Sequence, residues 1–185
     1  MKKPSRHELL NIPNMMGYLR ILLIPVFIYL YVSANSADEL RAAAVVVAIS
    51  GITDFLDGLI ARKFNMITEF GMVLDPLADK LTQTAILCCL ASRFPLMWAV
   101  FGIVVVRELY LLAKGLHMLR RGKSLNGSRW YGKVSTFVFY AVVLLLMIFP
   151  DMAYSTVQAL IALCGALTLV ALCGYLLAYR SLENE

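Results

Sequence analysis

Charge is scarce in this chain. Asp, Glu, Lys and Arg make up 16% of its 185 residues, against about 25% in a typical soluble domain. Set beside 61% hydrophobic residues, that shortage excludes a disordered chain and argues against an ordinary soluble fold. Histidine is nearly missing: His7 and His117 stand alone, at no spacing that builds a zinc site. The four cysteines, Cys88, Cys89, Cys164 and Cys173, sit inside apolar runs with no CxxC pattern, and read as packing residues rather than disulfide or metal chemistry. Long polar stretches are lacking too. The one extended polar connection is RRGKSLNGSR at 120–129, so no soluble catalytic domain fits, and any chemistry must use side chains in or beside apolar helices. The residues up to Asn14 are too polar for a signal-peptide core.

What is abundant is apolar sequence in blocks. Runs at 40–61, 70–91, 96–119, 131–149 and 154–179 reach the roughly 20 residues that a membrane-spanning helix uses, and a shorter run at 21–32 approaches that length if it extends backwards through Tyr18. They predict an all-α integral membrane protein: one domain over 1–185, six transmembrane helices, and a short N-terminal interfacial segment at 1–19. Pro25 is expected to kink the first helix. Lys2, Lys3, Arg6, Arg62, Lys63, Arg120, Arg121, Lys123, Arg129 and Arg180 fall on one side of such a bundle, and only Arg41 and Arg93 on the other. The positive-inside rule then puts both termini in the cytoplasm. The net charge of +5 is carried by clusters between apolar segments, which suits an anionic membrane surface or substrate and not nucleic acid.

The informative stretch is TDFLDGLIARKFNMITEFGMVLDPLADK, from Thr53 to Lys80. It sets four aspartates near the cytoplasmic ends of two successive apolar helices, where each charge costs a few kcal/mol unless compensated. Asp54 and Asp57 are three apart, and Asp75 and Asp79 four apart, so each pair shares a helix face. A short connection makes the helices antiparallel neighbours, which lets the two pairs converge. Converging carboxylates must take up protons or hold cations. Oxygen ligands without His or Cys favour Mg²⁺, Mn²⁺ or Ca²⁺. Gly58 and Gly71 offer bare backbone beside the acids, and Arg62 offers a donor for a phosphate oxygen. Together these describe a pyrophosphate site. Two other readings exist: buried salt bridges to Arg62, Lys63 and Lys80, which the four acids outnumber, and a cation pathway in a small transporter, whose carboxylates would be spread along a path.

The pattern Asp54-x2-Asp57-Gly58-x2-Ala61-Arg62-x8-Gly71-x3-Asp75-x3-Asp79 resembles the signature of the CDP-alcohol phosphatidyltransferases at every spacing. The resemblance extends along the whole chain, since that family has six membrane helices. It implies two divalent cations, Mg²⁺ or Mn²⁺, held by Asp54, Asp57, Asp75 and Asp79. It further implies a CDP and diphosphate subsite formed by Asp54, Asp57, Gly58, Ala61, Arg62 and Gly71, and Asp79 as general base. The implied donor is CDP-diacylglycerol, the implied leaving group CMP, and the implied assembly a homodimer among membrane lipids, with the active site facing the cytoplasm.

The acceptor is less sharply marked. Asn11-Ile12-Pro13-Asn14, followed by Arg20, resembles the opening of the family's phosphatidylglycerophosphate synthase and eukaryotic-type cardiolipin synthase members, although an Asn beside Pro also reads as a helix cap. Gly17 stands where many relatives have a hydroxyl residue. Arg107 with Glu108, and Gly132 with Lys133, match pairs in glycerophosphate-using members, which implies that Arg107 and Lys133 bind the acceptor. The plainer readings are an Arg107–Glu108 ion pair and an interfacial lysine anchor. Gly115 and Ser135 occupy positions where those members carry a second Arg and a second Lys. Two acceptors therefore stay open, glycerol 3-phosphate giving phosphatidylglycerophosphate and phosphatidylglycerol giving cardiolipin, with inositol phosphate or serine behind them.

Overall fold

In a computed structural model the described residues are 10–120 and 130–183, all helical or in short connections, with no strand among them. The helices are α1 (Ile12–Ser33), α2 (Ala37–Lys63), α3 (Gly71–Arg93), α4 (Met97–Arg120), α5 (Trp130–Ile148) and α6 (Tyr154–Glu183). Lys2, Lys3, Arg6, His7, Arg121, Lys123 and Arg129 lie outside the described residues, as do the side chains of His117, Arg120 and Arg180. The helix count agrees with the six apolar runs. Among the described residues four helices are long and apolar enough to cross a membrane: α1, α2, α5 and Tyr154–Tyr179 of α6. The other two are equally long but interrupted by charge, α3 by Asp75, Asp79 and Lys80, and α4 by Arg107, Glu108 and Lys114.

The described chain forms two compact units. One holds α1, α2 and α3 as far as Cys89, with residues 147–150. In it α1 packs against α2. The inward face of α2 carries Leu40, Ala43, Ala44, Val47, Ser50, Thr53 and Asp57, at the three-to-four spacing of a buried helix stripe. Its small alanines permit close approach. The opposite face, with Val45, Ile49, Ile52, Leu56 and Leu59, is accessible, an apolar surface suited to lipid. Arg41 donates to the Ile148 carbonyl at 3.2 Å, which ties the end of α5 to this unit.

Helix α1 starts at Ile12, well before the apolar run at Ile21, and continues through Pro25. Its first turns hold Pro13, Asn14, Gly17 and Arg20 on the buried side, so inward-facing polar residues make the hydropathy pattern understate its length. Helix α2 is capped by Ser36, whose Oγ accepts the Glu39 backbone N–H, while the Glu39 carboxylate accepts from Asn35 N. This is close to a capping box. Its end is a Schellman turn: Phe64 N–H bonds Ile60 O, Met66 N–H bonds Ala61 O, and Asn65 adopts φ 52°.

The second unit contains the end of α3, α4, α5 to Leu146, and α6. Here α4 packs on α6. Tyr131 and Tyr175 stack edge to face with centroids 4.9 Å apart, and Tyr110 meets Tyr179 in the same way at 5.9 Å. A Cβ added to Gly132 would strike the Tyr175 hydroxyl, and one on Gly174 would lie 3.1 Å from the Tyr131 ring.

Candidate functional site

The connection 64–70 between α2 and α3 is clamped from α1. Asn11 Nδ2 donates to Met66 O at 2.8 Å, and Asn14 Nδ2 to Thr68 Oγ1 at 3.3 Å. Thr68 Oγ1 in turn accepts the Gly71 N–H at 3.0 Å, satisfying an orphan donor at the start of α3. Neither asparagine acts as a simple cap: Asn11 occupies the N-cap position of α1 but its side chain makes no cap bond. The spacing between Arg62 and Gly71 is thus held by a helix-stop turn at one end, a threonine at the other, and two asparagine tethers.

The same arrangement accounts for one of the two motif glycines. A Cβ on Gly71 would lie 2.6 Å from Asn14 Oδ1 and 3.0 Å from Thr68 Oγ1, so Gly71 is small because the protein fills the space beside it. Gly58 differs. Its nearest neighbour would be the tip of the Arg62 side chain at 3.4 Å, an ordinary contact. Arg62 is exposed and makes no ion pair among the described residues, so its guanidinium can turn to an incoming anion. Ala61 sits between, on the last turn of α2.

Asp54 and Asp57 share a partner that local charge counting does not find. Arg20, from the buried side of α1, places Nη1 2.5 Å from Asp54 Oδ1 as an ion pair and directs Nη2 to Asp57 Oδ2. Arg20 and Asp57 are almost wholly buried, whereas the Asp54 side chain is half accessible. Asp57 interacts electrostatically with Arg20, Asp75 and Asp54, and Asp75 with Arg20 and Asp54. The structure therefore brings three of the four aspartates around one guanidinium. Arg62 and Lys63 do not take the salt-bridge role. Asp79 lies 4.0 Å from Lys80.

As they stand, no three His, Cys, Asp or Glu among the described residues are arranged as a ready ligand set. The donor chemistry nevertheless suits a hard divalent cation: carboxylate oxygens with no soft ligand. One oxygen is waiting for a cation or donor, because Asp75 Oδ1 is buried without a hydrogen-bond partner. A buried carboxylate oxygen in that condition is costly unless something positive meets it.

In the second unit Arg107 is buried on α4. It donates Nη2 and Nε to Glu108 Oε1 at 2.7 and 3.1 Å, and Nη1 to Ser135 Oγ at 3.4 Å. Ser135 Oγ meets Thr168 Oγ1 at 3.3 Å, and Thr168 donates to Cys164 O. The serine that stands in place of a lysine is thus part of the Arg107 support. Lys133 is exposed and forms no ion pair among the described residues. Sequence reasoning overlooked Thr168, since a hydroxyl within an apolar helix carries no signal of what it faces.

Comparison with known proteins gives a consistent picture. The family model for CDP-alcohol phosphatidyltransferase matches residues 10–176. A probable phosphatidylglycerophosphate synthase of Mycobacterium tuberculosis is 33% identical over 182 residues, covering 97% of this chain and 86% of its own. A CDP-diacylglycerol–glycerol-3-phosphate 3-phosphatidyltransferase of Pseudomonas fluorescens is 33% identical over 176 residues, 91% of this chain and 90% of that one. A cardiolipin synthase (CMP-forming) / mitochondrial hydrolase fusion protein of Schizosaccharomyces pombe is 33% identical over 137 residues, 74% of this chain and 22% of the fusion.

Proposed function

Since this chain belongs to the CDP-alcohol phosphatidyltransferase family, we propose that it transfers the phosphatidyl group of CDP-diacylglycerol to glycerol 3-phosphate, forming phosphatidylglycerophosphate and releasing CMP. The observation that carries the acceptor is the match over nine-tenths of both chains to a relative named for glycerol 3-phosphate. Phosphatidylglycerol is the second reading. It is supported by Ser135 and by the Glu108 carboxylate already engaging Arg107, since a phosphodiester needs fewer positive charges than a phosphate monoester.

In this reading Asp54, Asp57, Asp75 and Asp79 hold divalent cations, Mg²⁺ or Mn²⁺, which supply positive charge to the diphosphate. Gly58 and Ala61 leave room for the nucleotide, and Arg62 donates to a phosphate oxygen. Gly71 contributes by keeping the connection from α2 closed against Asn14. Asp79 takes the proton of the acceptor hydroxyl as its oxygen bonds to the lipid-side phosphorus. The bond from that phosphorus to the CMP oxygen breaks, and CMP leaves as the phosphate. Arg107 and Lys133 hold the acceptor. The enzyme works as a homodimer in the membrane, with this chemistry on the cytoplasmic side.

The deciding experiment measures CMP release by purified protein in detergent with CDP-diacylglycerol and Mn²⁺, with glycerol 3-phosphate and phosphatidylglycerol offered separately and the lipid product identified. Phosphatidylglycerophosphate is the expected product. Cardiolipin alone would transfer the assignment to the second reading, and no CMP with either acceptor would remove both.

A further inference from the structure

From the geometry around Arg20 we infer that this side chain is the resident counter-cation of the first aspartate pair, and that a divalent ion must displace it from Asp57 to bind. The inference rests on the metal role proposed above. Arg20 bridges Asp54 and Asp57 from another helix, and its guanidinium therefore takes one oxygen of each and lies between the two carboxylates that a shared cation would use. Three carboxylates against one guanidinium, with Asp54, Asp57 and Asp75 all acting on it, leave the group two negative charges in excess when ionised. That excess is what a divalent ion neutralises, and the ion and the guanidinium repel each other if both stay on Asp57.

The chain also provides somewhere for the guanidinium to go. The small cavity beside it is lined mostly by apolar side chains, among them Phe27 and Val47, together with Arg20, Ser50 and Thr82. Two of those residues carry hydroxyls, and Arg20 Nε is buried without a hydrogen-bond partner. A modest rotation toward Ser50 and Thr82 would exchange a carboxylate for a hydroxyl and release Asp57. Arg20 is in this sense a positioning residue. It keeps the carboxylates together without metal and sets how strongly the site binds one.

A purely structural Arg20 and a competing Arg20 predict opposite signs. The test is Mn²⁺ binding to full-length protein in detergent, followed by electron paramagnetic resonance of free Mn²⁺, with the thermal midpoint measured with and without the ion. For Arg20→Gln the metal-free midpoint should fall, the rise produced by Mn²⁺ should grow, and the Mn²⁺ Kd should drop by roughly fivefold or more, the lower range of typical site-to-site coupling. Arg20→Lys keeps a charge but cannot bridge both acids, so it should lie between Arg20→Gln and the parent, and it carries the test if the glutamine variant does not fold. Unchanged or weaker Mn²⁺ binding in the folded variants overturns the inference while leaving the metal reading intact. Absence of Mn²⁺ binding by the parent chain overturns both.

Discussion

Asn14 and Gly71 are matched across two helices: the asparagine carboxamide sits where a Cβ on residue 71 would have to be, 2.6 Å from its Oδ1. Asn14 cannot simply yield, because it is buried and bonded to Thr68. Gly71→Ala is therefore expected to destabilise by about 1–3 kcal/mol, as other overpacking changes do, and to lower CMP release. Adding Asn14→Ala should restore much of the thermal midpoint, and a double-mutant cycle in detergent measures the coupling. Additive effects would mean the two residues do not compete for that space.

Gly58→Ala should behave in the opposite way. The site is mid-helix with only the flexible Arg62 tip nearby, and alanine in place of glycine gains roughly 0.5–1 kcal/mol in a helix interior. The midpoint should rise slightly while the KM for CDP-diacylglycerol increases. An unchanged KM would show that the ligand does not come close to this backbone.

Asp79→Asn removes the proposed proton acceptor but little packing. CMP release should fall by about 10²–10⁴-fold, the usual size of a lost general base, with the unfolding midpoint nearly constant. A large drop in midpoint would instead place Asp79 among the structural groups.

Thr168→Val deletes a buried hydroxyl that supports Ser135 and, through it, Arg107. The loss should be on the order of 1–3 kcal/mol, the cost of stranding buried polar groups. Kinetically, the KM for the acceptor should rise and that for CDP-diacylglycerol should not. An equal effect on both would argue that Arg107 does not serve the acceptor.

Gly17→Ser brings a hydroxyl toward the unpartnered Asp75 Oδ1, since a Cβ there would be 3.6 Å from that oxygen. The new bond should add about 0.5–1.5 kcal/mol, reduced by the 3.0 Å approach to Leu74. Activity should survive, because a carboxylate oxygen that accepts one hydrogen bond keeps a lone pair for a cation. Thermal unfolding and CMP release on the same preparation check both parts.

The acidic motif is legible in the sequence because its spacing is local: Asp54 and Asp57 share one turn, Asp75 and Asp79 another, and a short connection forces the helices to be neighbours. Arg20 is not legible in the same way. It is 37 positions from Asp57, and a charge count confined to Arg62, Lys63 and Lys80 misses it. Asn11 and Asn14 mislead for a related reason, since a cap and a long-range tether use the same residue beside the same proline. The hydropathy runs found six helices, but an extension of α1 back through Tyr18 falls short of its start at Ile12, because its inward face is polar. They likewise treat α3 and α4 as ordinary spans, although charged groups sit along both.

Tyr131-Gly132 on α5 and Gly174-Tyr175 on α6 form a hasp. Each tyrosine ring fills the notch left by the other helix's glycine, and the reversed order of the two dipeptides is what an antiparallel crossing demands. Neither helix can slide by a residue without driving a ring into backbone. The register of α5 is thereby latched at its first turn, and Lys133, next in line, inherits a fixed height along the helix from a glycine 41 positions later in the chain.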